Sequence, residues 1–305
     1  MTAPDAAPAA APIHDGSPRG PSGRARHPRG HTLSAHVGGC QLAWIARFLD
    51  LFAPLRETDG GSATRSRSRE APPRGDPPKE RTVTTPVSRI LVDLSHTVEH
   101  GMVTYKGVPA PVLCDFLSRE QSRAVYAEGV EFHIGRIDMV ANTGTYVDSP
   151  FHRYADGKDL AALPLESLAD LESVVVEARD RSGRTIDEGA FEGLDLAGKA
   201  VLVRTGWSDH WRTDRYFEGH PFLTRGAARL LAGAGAAFVG VDTYNIDDTA
   251  DPTRPVHSIL LGADIPICEH MTGLERLPAA GARFFAVPVK VRAFGTFPVR
   301  AFAIV

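Results

Sequence analysis

The chain has 305 residues, 43% hydrophobic and 23% charged, the balance of a soluble globular protein long enough to bury a sizeable core. Its 34 Lys and Arg against 37 Asp and Glu leave a charge of −3, so nothing drives the molecule as a whole onto nucleic acid or an anionic membrane. No run of about 18 apolar residues occurs, which excludes a membrane-spanning helix. Three well-separated cysteines (Cys40, Cys114, Cys268) without a CxxC spacing do not make a disulfide framework, and a reducing cytoplasm is the simplest setting.

The total hides two unlike pieces. Residues 1–88 hold 12 of the 23 prolines and carry 12 Lys and Arg against 8 Asp and Glu, a charge of +4 that leaves −7 for the remainder. Residues 1–31 are rich in Ala, Pro, Gly and Arg, and 60–80 contain Arg65-Ser66-Arg67-Ser68-Arg69 ahead of a proline cluster. Such segments bury too little apolar surface to offset chain entropy, so 1–88 is expected to be a disordered extension. Within it Leu42, Ile45, Leu49 and Phe52, with Trp44, Phe48, Leu51 and Leu55, recur at helical spacing and predict one short amphipathic helix. The basic and apolar stretches do not stand at the very start, as a secretory signal requires.

From Ser88 the texture becomes that of a folded domain, 89–305. Residues 89–94 (Arg-Ile-Leu-Val-Asp-Leu) predict a strand that ends before a turn at His100-Gly101. Between Phe132 and Val140, Phe132, Ile134, Arg136, Asp138 and Val140 share one parity, which predicts a half-buried strand. Further strands are expected at 174–178, 200–204, 238–242, 284–291 and 299–305, and helices at 165–169, 187–191 and 224–234, the last with Thr224 as N-cap. Strands alternating with single helices predict an α/β fold, one domain with a mixed β-sheet.

Polar residues gather where these strands end. The first cluster runs Asn142-Thr143-Gly144-Thr145-Tyr146-Val147-Asp148-Ser149-Pro150-Phe151-His152, turning at a Gly and a Pro so that several side chains converge. The second, Gly240-Val241-Asp242-Thr243-Tyr244-Asn245-Ile246-Asp247-Asp248, follows a buried strand, and the third runs from His257 to Cys268-Glu269-His270. Imidazole and carboxylate on rigid apolar flanks are the parts of a metal or acid–base site. Asp247, Asp248 and Asp251 read as an acidic solvated loop. Trp207, Trp211 and Tyr244 are candidates to flank an aromatic substrate. Neither GxGxxG nor GxSxG occurs in 89–305, which argues against nucleotide cofactors and acyl-serine chemistry.

The three clusters in this order resemble the cyclase family, which includes bacterial kynurenine formamidases, isatin hydrolases and metal-dependent dienelactone hydrolases. Its signature, His-x-Gly-Thr-His-x-Asp-x-Pro-x-His, aligns without a gap on Asn142 to His152, matching at Gly144, Thr145, Asp148, Pro150 and His152. Asp93-Leu94-Ser95-His96, Val203-Arg204-Thr205-Gly206-Trp207, Gly240-Val241-Asp242-Thr243, His257, Glu269, Pro288-Val289-Lys290 and Pro298-Val299-Arg300-Ala301 extend the resemblance over nearly all of 89–305. It implies a swivelling β/β/α-type fold, a homodimer or homotetramer, and hydrolysis of a small-molecule amide or lactone by metal-activated water. Carried over position by position, Asp148, His257 and Glu269 are metal ligands and His152 is the general base. The family's two other histidine ligand positions are Asn142 and Tyr146 here, and neutral amide and phenol are poor ligands for zinc or manganese. Three readings stay open: one divalent metal on Asp148, His257 and Glu269; a metal-independent acid–base enzyme (lactonase, dehydratase or isomerase) using His152, Glu269, Tyr146 and Asn142; or a small-molecule binding protein without catalysis.

Overall fold

Short runs of β-branched and other apolar residues build the sheet. In the computed structural model, which describes residues 89–179 and 183–305, thirteen strands follow in order. They are β1 (Leu91–Asp93), β2 (Val112–Leu117), β3 (Ile134–Asp138), β4 (Tyr146–Asp148), β5 (Leu171–Glu177), β6 (Thr185–Ile186), β7 (Ala200–Arg204), β8 (Phe222–Leu223), β9 (Phe238–Val241), β10 (Ile267–Glu269), β11 (Ala280–Phe285), β12 (Thr296–Pro298) and β13 (Phe302–Ile304). Two helices matter to the site, α1 (Arg225–Gly233) and α2 (Pro255–Gly262). The extension expected at 1–88, and the short helix expected within it, lie outside the described residues.

Nine strands form one mixed sheet in the order β1-β13-β11-β5-β7-β9-β10-β4-β12. Its centre, β5-β7-β9-β10, is parallel, and the strands beyond it on both sides are antiparallel. Side chains alternate across the sheet, as the two-residue period requires. Val201, Val203, Val239, Val241 and Ile267 pack on one face beneath Ala227, Ala228 and Leu231 of α1 and Val256, Leu260 and Leu261 of α2. Ala200, Leu202, Phe238, Val147 and Cys268 face the other way, into a second core with Leu94, Leu160, Phe284 and Ala303. Burying a Val or Leu fully contributes about 1.5–3 kcal/mol, so these two layers dominate the stability of the sheet.

Thr224 caps α1 as expected, its hydroxyl accepting the Ala227 N–H at 3.1 Å. Several other expectations need correction. The segments at 165–169 and 187–191 are single 3-10 turns, Leu165–Ser167 and Glu188–Ala190, too short to hold an α-helical register. The strand expected at 284–291 is shifted back to Ala280–Phe285, beyond which Pro288 supplies no ladder N–H. The alternation at 132–140 does not mark a half-buried strand: all five residues of β3 are exposed, because β3 pairs only with β2 in a separate two-stranded ribbon. Helix α2 was not legible as a helix, being apolar on most sides with no clear polar stripe.

Candidate active site

β4 puts Tyr146 and Asp148 on the helix-covered face and sends Val147 into the opposite core. Antiparallel pairing sets Glu269 of β10 directly opposite Tyr146, and Ile267 opposite Asp148. On the other edge of β4, β12 sets Thr296 opposite Asp148. Register alone thus gathers Tyr146, Asp148, Glu269 and Thr296 on one patch of sheet. His152 arrives from the turn after Pro150, and His257 from α2 above the patch. Gly295 lets the chains meet there, since a Cβ on it would lie 2.6 Å from the His152 backbone nitrogen.

These groups wall a cavity of about 440 Å³ lined by Asn142, Tyr146, His152, His257 and Glu269, together with Tyr105, Asn245, Arg153 and Arg254. All the expected site residues except Asp148 line it, and Asp148 lies just beneath, fully buried. Trp207 and Tyr244 instead form an aromatic cluster with Tyr216, against which Trp211 packs, and Tyr105, stacked on Tyr244 at 4.7 Å, is the aromatic that reaches the cavity from it. Asp247 is not a solvated loop residue. It is buried, accepts the Val256 N–H at 2.7 Å and the His257 N–H at 3.1 Å, and its Oδ2 lies 2.6 Å from His257 Nδ1. Asp242 of the second cluster stays out of the pocket, where it accepts from Thr205 N and Oγ1 and Gly206 N and holds that turn.

Two networks orient the chemistry. Held by Asp247, His257 aims Nε2 inward, 3.6 Å from Asp148 Oδ2 and 3.6 Å from Glu269 Oε1. Tyr146 donates to Glu269 Oε2 at 2.5 Å, and the Ile246 N–H donates to Oε1 at 2.7 Å. In the second network the Thr296 hydroxyl donates to Asp148 Oδ1, and Thr296 Oγ1 lies 2.8 Å from His152 Nδ1. A hydroxyl has one proton, so Thr296 accepts from His152 Nδ1–H, and in the neutral imidazole the lone pair is then on Nε2.

The electrostatics follow from three buried carboxylates around one imidazole. Burial by itself disfavours a charged His257, but contacts with Asp148, Asp247 and Glu269 outweigh it and raise the imidazole to about 10. Burial pushes Glu269 up to about 7, with Asp148 adding to it and His257 opposing. Burial likewise works to raise Asp148, yet His152, His257 and Thr296 hold it below the usual carboxylate value. Burial first and Glu269 second push the Tyr146 phenol well above its usual value, so it stays a hydrogen-bond donor.

A divalent metal fits this donor set. Asp148 Oδ2 is buried with no hydrogen-bond partner. Its 3.6 Å separation from His257 Nε2 is too long for a hydrogen bond. Ligand atoms ~2.1 Å from a tetrahedral ion lie about 3.4 Å apart, close to that spacing. One ligand atom each of Asp148, His152 and His257 lie within 4.8 Å of one another, whereas Glu269, whose two oxygens accept from Tyr146 and the Ile246 N–H, is not in that group.

Buried carboxylates, a carboxylate-oriented imidazole and a second imidazole on the wall of a cavity, all delivered by one mixed sheet, define an enzyme site. The putative cyclase family model matches residues 92–248. The kynurenine formamidase of Erythrobacter litoralis is 31% identical over 167 residues, 54% of this chain and 73% of that protein. The kynurenine formamidase of Bacillus cytotoxicus is 26% identical over 215 residues, 69% of this chain and 95% of that protein. Among solved structures, isatin hydrolase A from Ralstonia solanacearum superposes with a TM-score of 0.60 at 22% identity, covering 74% of this chain and 100% of that one, a likeness of fold. The chain belongs to the cyclase family.

Sequence reasoning missed Asp247 as the His257 partner and Thr296 as the His152 partner. Asp247 carried a signal, an acid ten residues before a candidate histidine; Thr296 carried none, since only the β4–β12 register brings it in.

Proposed function

We propose that this protein, a hydrolase of the cyclase family, cleaves the carbonyl–nitrogen bond of a small-molecule amide, an aryl formamide in the first instance, with His152 as general base. The observation that carries the reading is the orphaned Asp148 Oδ2 facing His257 Nε2, beside a histidine whose free nitrogen is set by Thr296. Asp148, His257 and Glu269 would hold one divalent ion. Such an ion polarises a carbonyl oxygen and makes water acidic enough to attack near neutral pH.

The chain's own residues supply the rest. His152 Nε2 takes the proton from the attacking water and returns it to the departing nitrogen. Its Nδ1–H stays on Thr296, and the buried Asp148 carboxylate behind Thr296 stabilises the imidazolium formed in transit. Tyr146 holds one oxygen of Glu269, so a hydrogen bond serves where a histidine ligand stands in the family signature. Asn142, on the pocket wall, presents an amide to the substrate carbonyl.

A second reading has support in the cationic His257. Raised to about 10 by the carboxylates around it, the imidazole would carry a positive charge that stabilises a developing oxyanion without metal. The discriminating experiment is formamide hydrolysis by protein purified without added metal, before and after chelation. Activity lost on chelation and restored by zinc or manganese supports the one-metal reading. Activity indifferent to chelation selects the metal-free acid–base enzyme, and no turnover of any amide or lactone leaves a binding protein.

A further inference from the structure

We propose that His96 and His270 form a second metal site, which takes one divalent transition-metal ion between their Nε2 atoms, apart from the cavity where Asp148 and His257 meet. The inference goes beyond the hydrolase reading and does not rest on it.

Register sets the two imidazoles opposite one another. Ser95 and Met271 form an antiparallel bridge, and on one side of it the Thr272 N–H donates to the Leu94 carbonyl. One step along on the other side stand His96 and His270, and directly opposed residues of a regular pair carry Cβ atoms about 4.5–5.5 Å apart. Here the ladder is spliced. The His96 N–H donates to Thr145 Oγ1 at 3.0 Å, and the Thr145 hydroxyl donates to the His270 carbonyl at 2.6 Å. In a regular ladder that N–H and that carbonyl bond each other directly. The inserted hydroxyl spreads the strands at this one pair. Both rings meet Trp211, His96 stacked on it at 3.9 Å and His270 edge-on at 5.6 Å, so the imidazoles share one side. His270 also holds φ at 55, an uncommon conformation away from glycine that clusters at ligand sites.

Nε2 of each imidazole is buried without a hydrogen-bond partner among the described residues, as is Asp148 Oδ2 in the first site. Leaving such atoms unmade is costly, and here two of them fall on facing residues. They do not bond each other, so they stand beyond hydrogen-bond reach. Two imidazole nitrogens on one ion, each ~2.1 Å from it, stand about 3.4–4.2 Å apart, which is that range. Imidazole suits zinc, nickel and copper. Tyr216 Oη lies 3.0 Å from His270 Nδ1, so the ring can donate Nδ1–H to the phenol oxygen and keep a lone pair on Nε2, the way metal-bound imidazoles are held. The buried Asp148 carboxylate acts electrostatically on His270 and supplies the opposite charge that a buried cation needs. His96 is half-buried, which leaves a way in from solvent.

The test titrates nickel(II) chloride into the full-length chain after stripping with chelator, read by calorimetry and by tryptophan fluorescence. An open-shell ion on His96 lies against Trp211 and quenches it. The natural chain is expected to bind one equivalent more than His96→Phe, which keeps a flat ring on Trp211; the difference cancels histidines elsewhere. Trp211→Phe should keep that equivalent and lose the quench. His270→Asn, a residue that tolerates positive φ, should weaken it ~10-fold or more. Circular dichroism of the metal-free variants checks that they are folded. Equal stoichiometry and equal quenching in the natural chain and a folded His96→Phe overturn the proposal, as does a crystal structure at saturating nickel with water between the two imidazoles. If no formamide is hydrolysed but the His96-dependent equivalent binds, the hydrolase reading fails and this site stands.

Discussion

Thr296→Val replaces a hydroxyl with a methyl of nearly the same shape at the point where two functional residues are joined. In the structure Thr296 gives Asp148 the single hydrogen bond its carboxylate accepts among the described residues, and takes one from His152 Nδ1 at 2.8 Å. Valine can do neither. Asp148 is fully buried, so losing its donor strands a charge in a low-dielectric site. A hydrogen bond to a charged group contributes about 1.5–3 kcal/mol, so a loss of about 2 kcal/mol in unfolding free energy is expected for the metal-free protein. The Nδ1–H of His152 loses its acceptor as well, and with it the preference for a free Nε2. Outer partners of this kind change activity by about 10- to 100-fold when removed, and kcat/KM for an aryl formamide should fall by that factor. Hydrolysis is followed by the absorbance of the released aniline across pH, and stability by urea unfolding of the same preparations. Thr296→Ser keeps the hydroxyl and should recover most of the loss. A folded Thr296→Val protein with wild-type kcat/KM and pH profile would refute the assignment of His152's tautomer. Equal loss in the Val and Ser variants would show that packing, not the hydroxyl, was at stake.

Three further outcomes are expected. His152→Ala should lower turnover by about 100-fold or more, the scale of losing a positioned base, while shifting unfolding free energy by only about 0.5 kcal/mol, because the side chain is 36% exposed; near-wild-type turnover removes it from the catalytic set. Asn142→His with Tyr146→His should show a larger metal-dependent rise in Tm than the natural chain, since a ligand at a hundred times its dissociation constant stabilises by about 2.7 kcal/mol; equal, tight metal binding by both would show that these two positions never weakened the site. Burial takes the His96 imidazole, stacked on Trp211 at 3.9 Å, down to about 4. The unfolded chain therefore binds a proton below about 6.5 that the native one refuses until about 4, so stability falls as pH falls through that window. The contribution is about 3 kcal/mol, and His96→Phe should flatten the pH dependence of the urea unfolding free energy by that amount; parallel curves would refute it.

The run from Asn142 to His152 is informative as a sequence because its chemistry is local. Glycine at 144, where φ is +67, and proline at 150 fix the turns, and alternation along β4 sends Tyr146 and Asp148 to one side while Val147 goes to the other. The buried run at 200–204 and the Thr224 cap are equally local, and both appear where expected. With the order of His257 and Glu269 behind them, the mixed α/β fold and the cyclase family were legible from residues alone.

What the sequence could not convey depends on register and on partners far along the chain. Thr296 is 148 positions from Asp148 and meets it only because β12 pairs with β4. Asp247 looked like one member of an acidic loop until α2 folded down and placed two backbone N–H groups and an imidazole around it. The ribbon of β2 and β3 fails in the opposite sense. The alternation of β3 is that of a strand with one face buried, but all five of its residues are exposed, and pattern alone does not report what covers a face. Arg254 is one of many arginines in the sequence. Only the fold shows that it is held by neutral oxygens at the wall of the cavity, because what lies beside a side chain is a property of three-dimensional neighbours and not of composition.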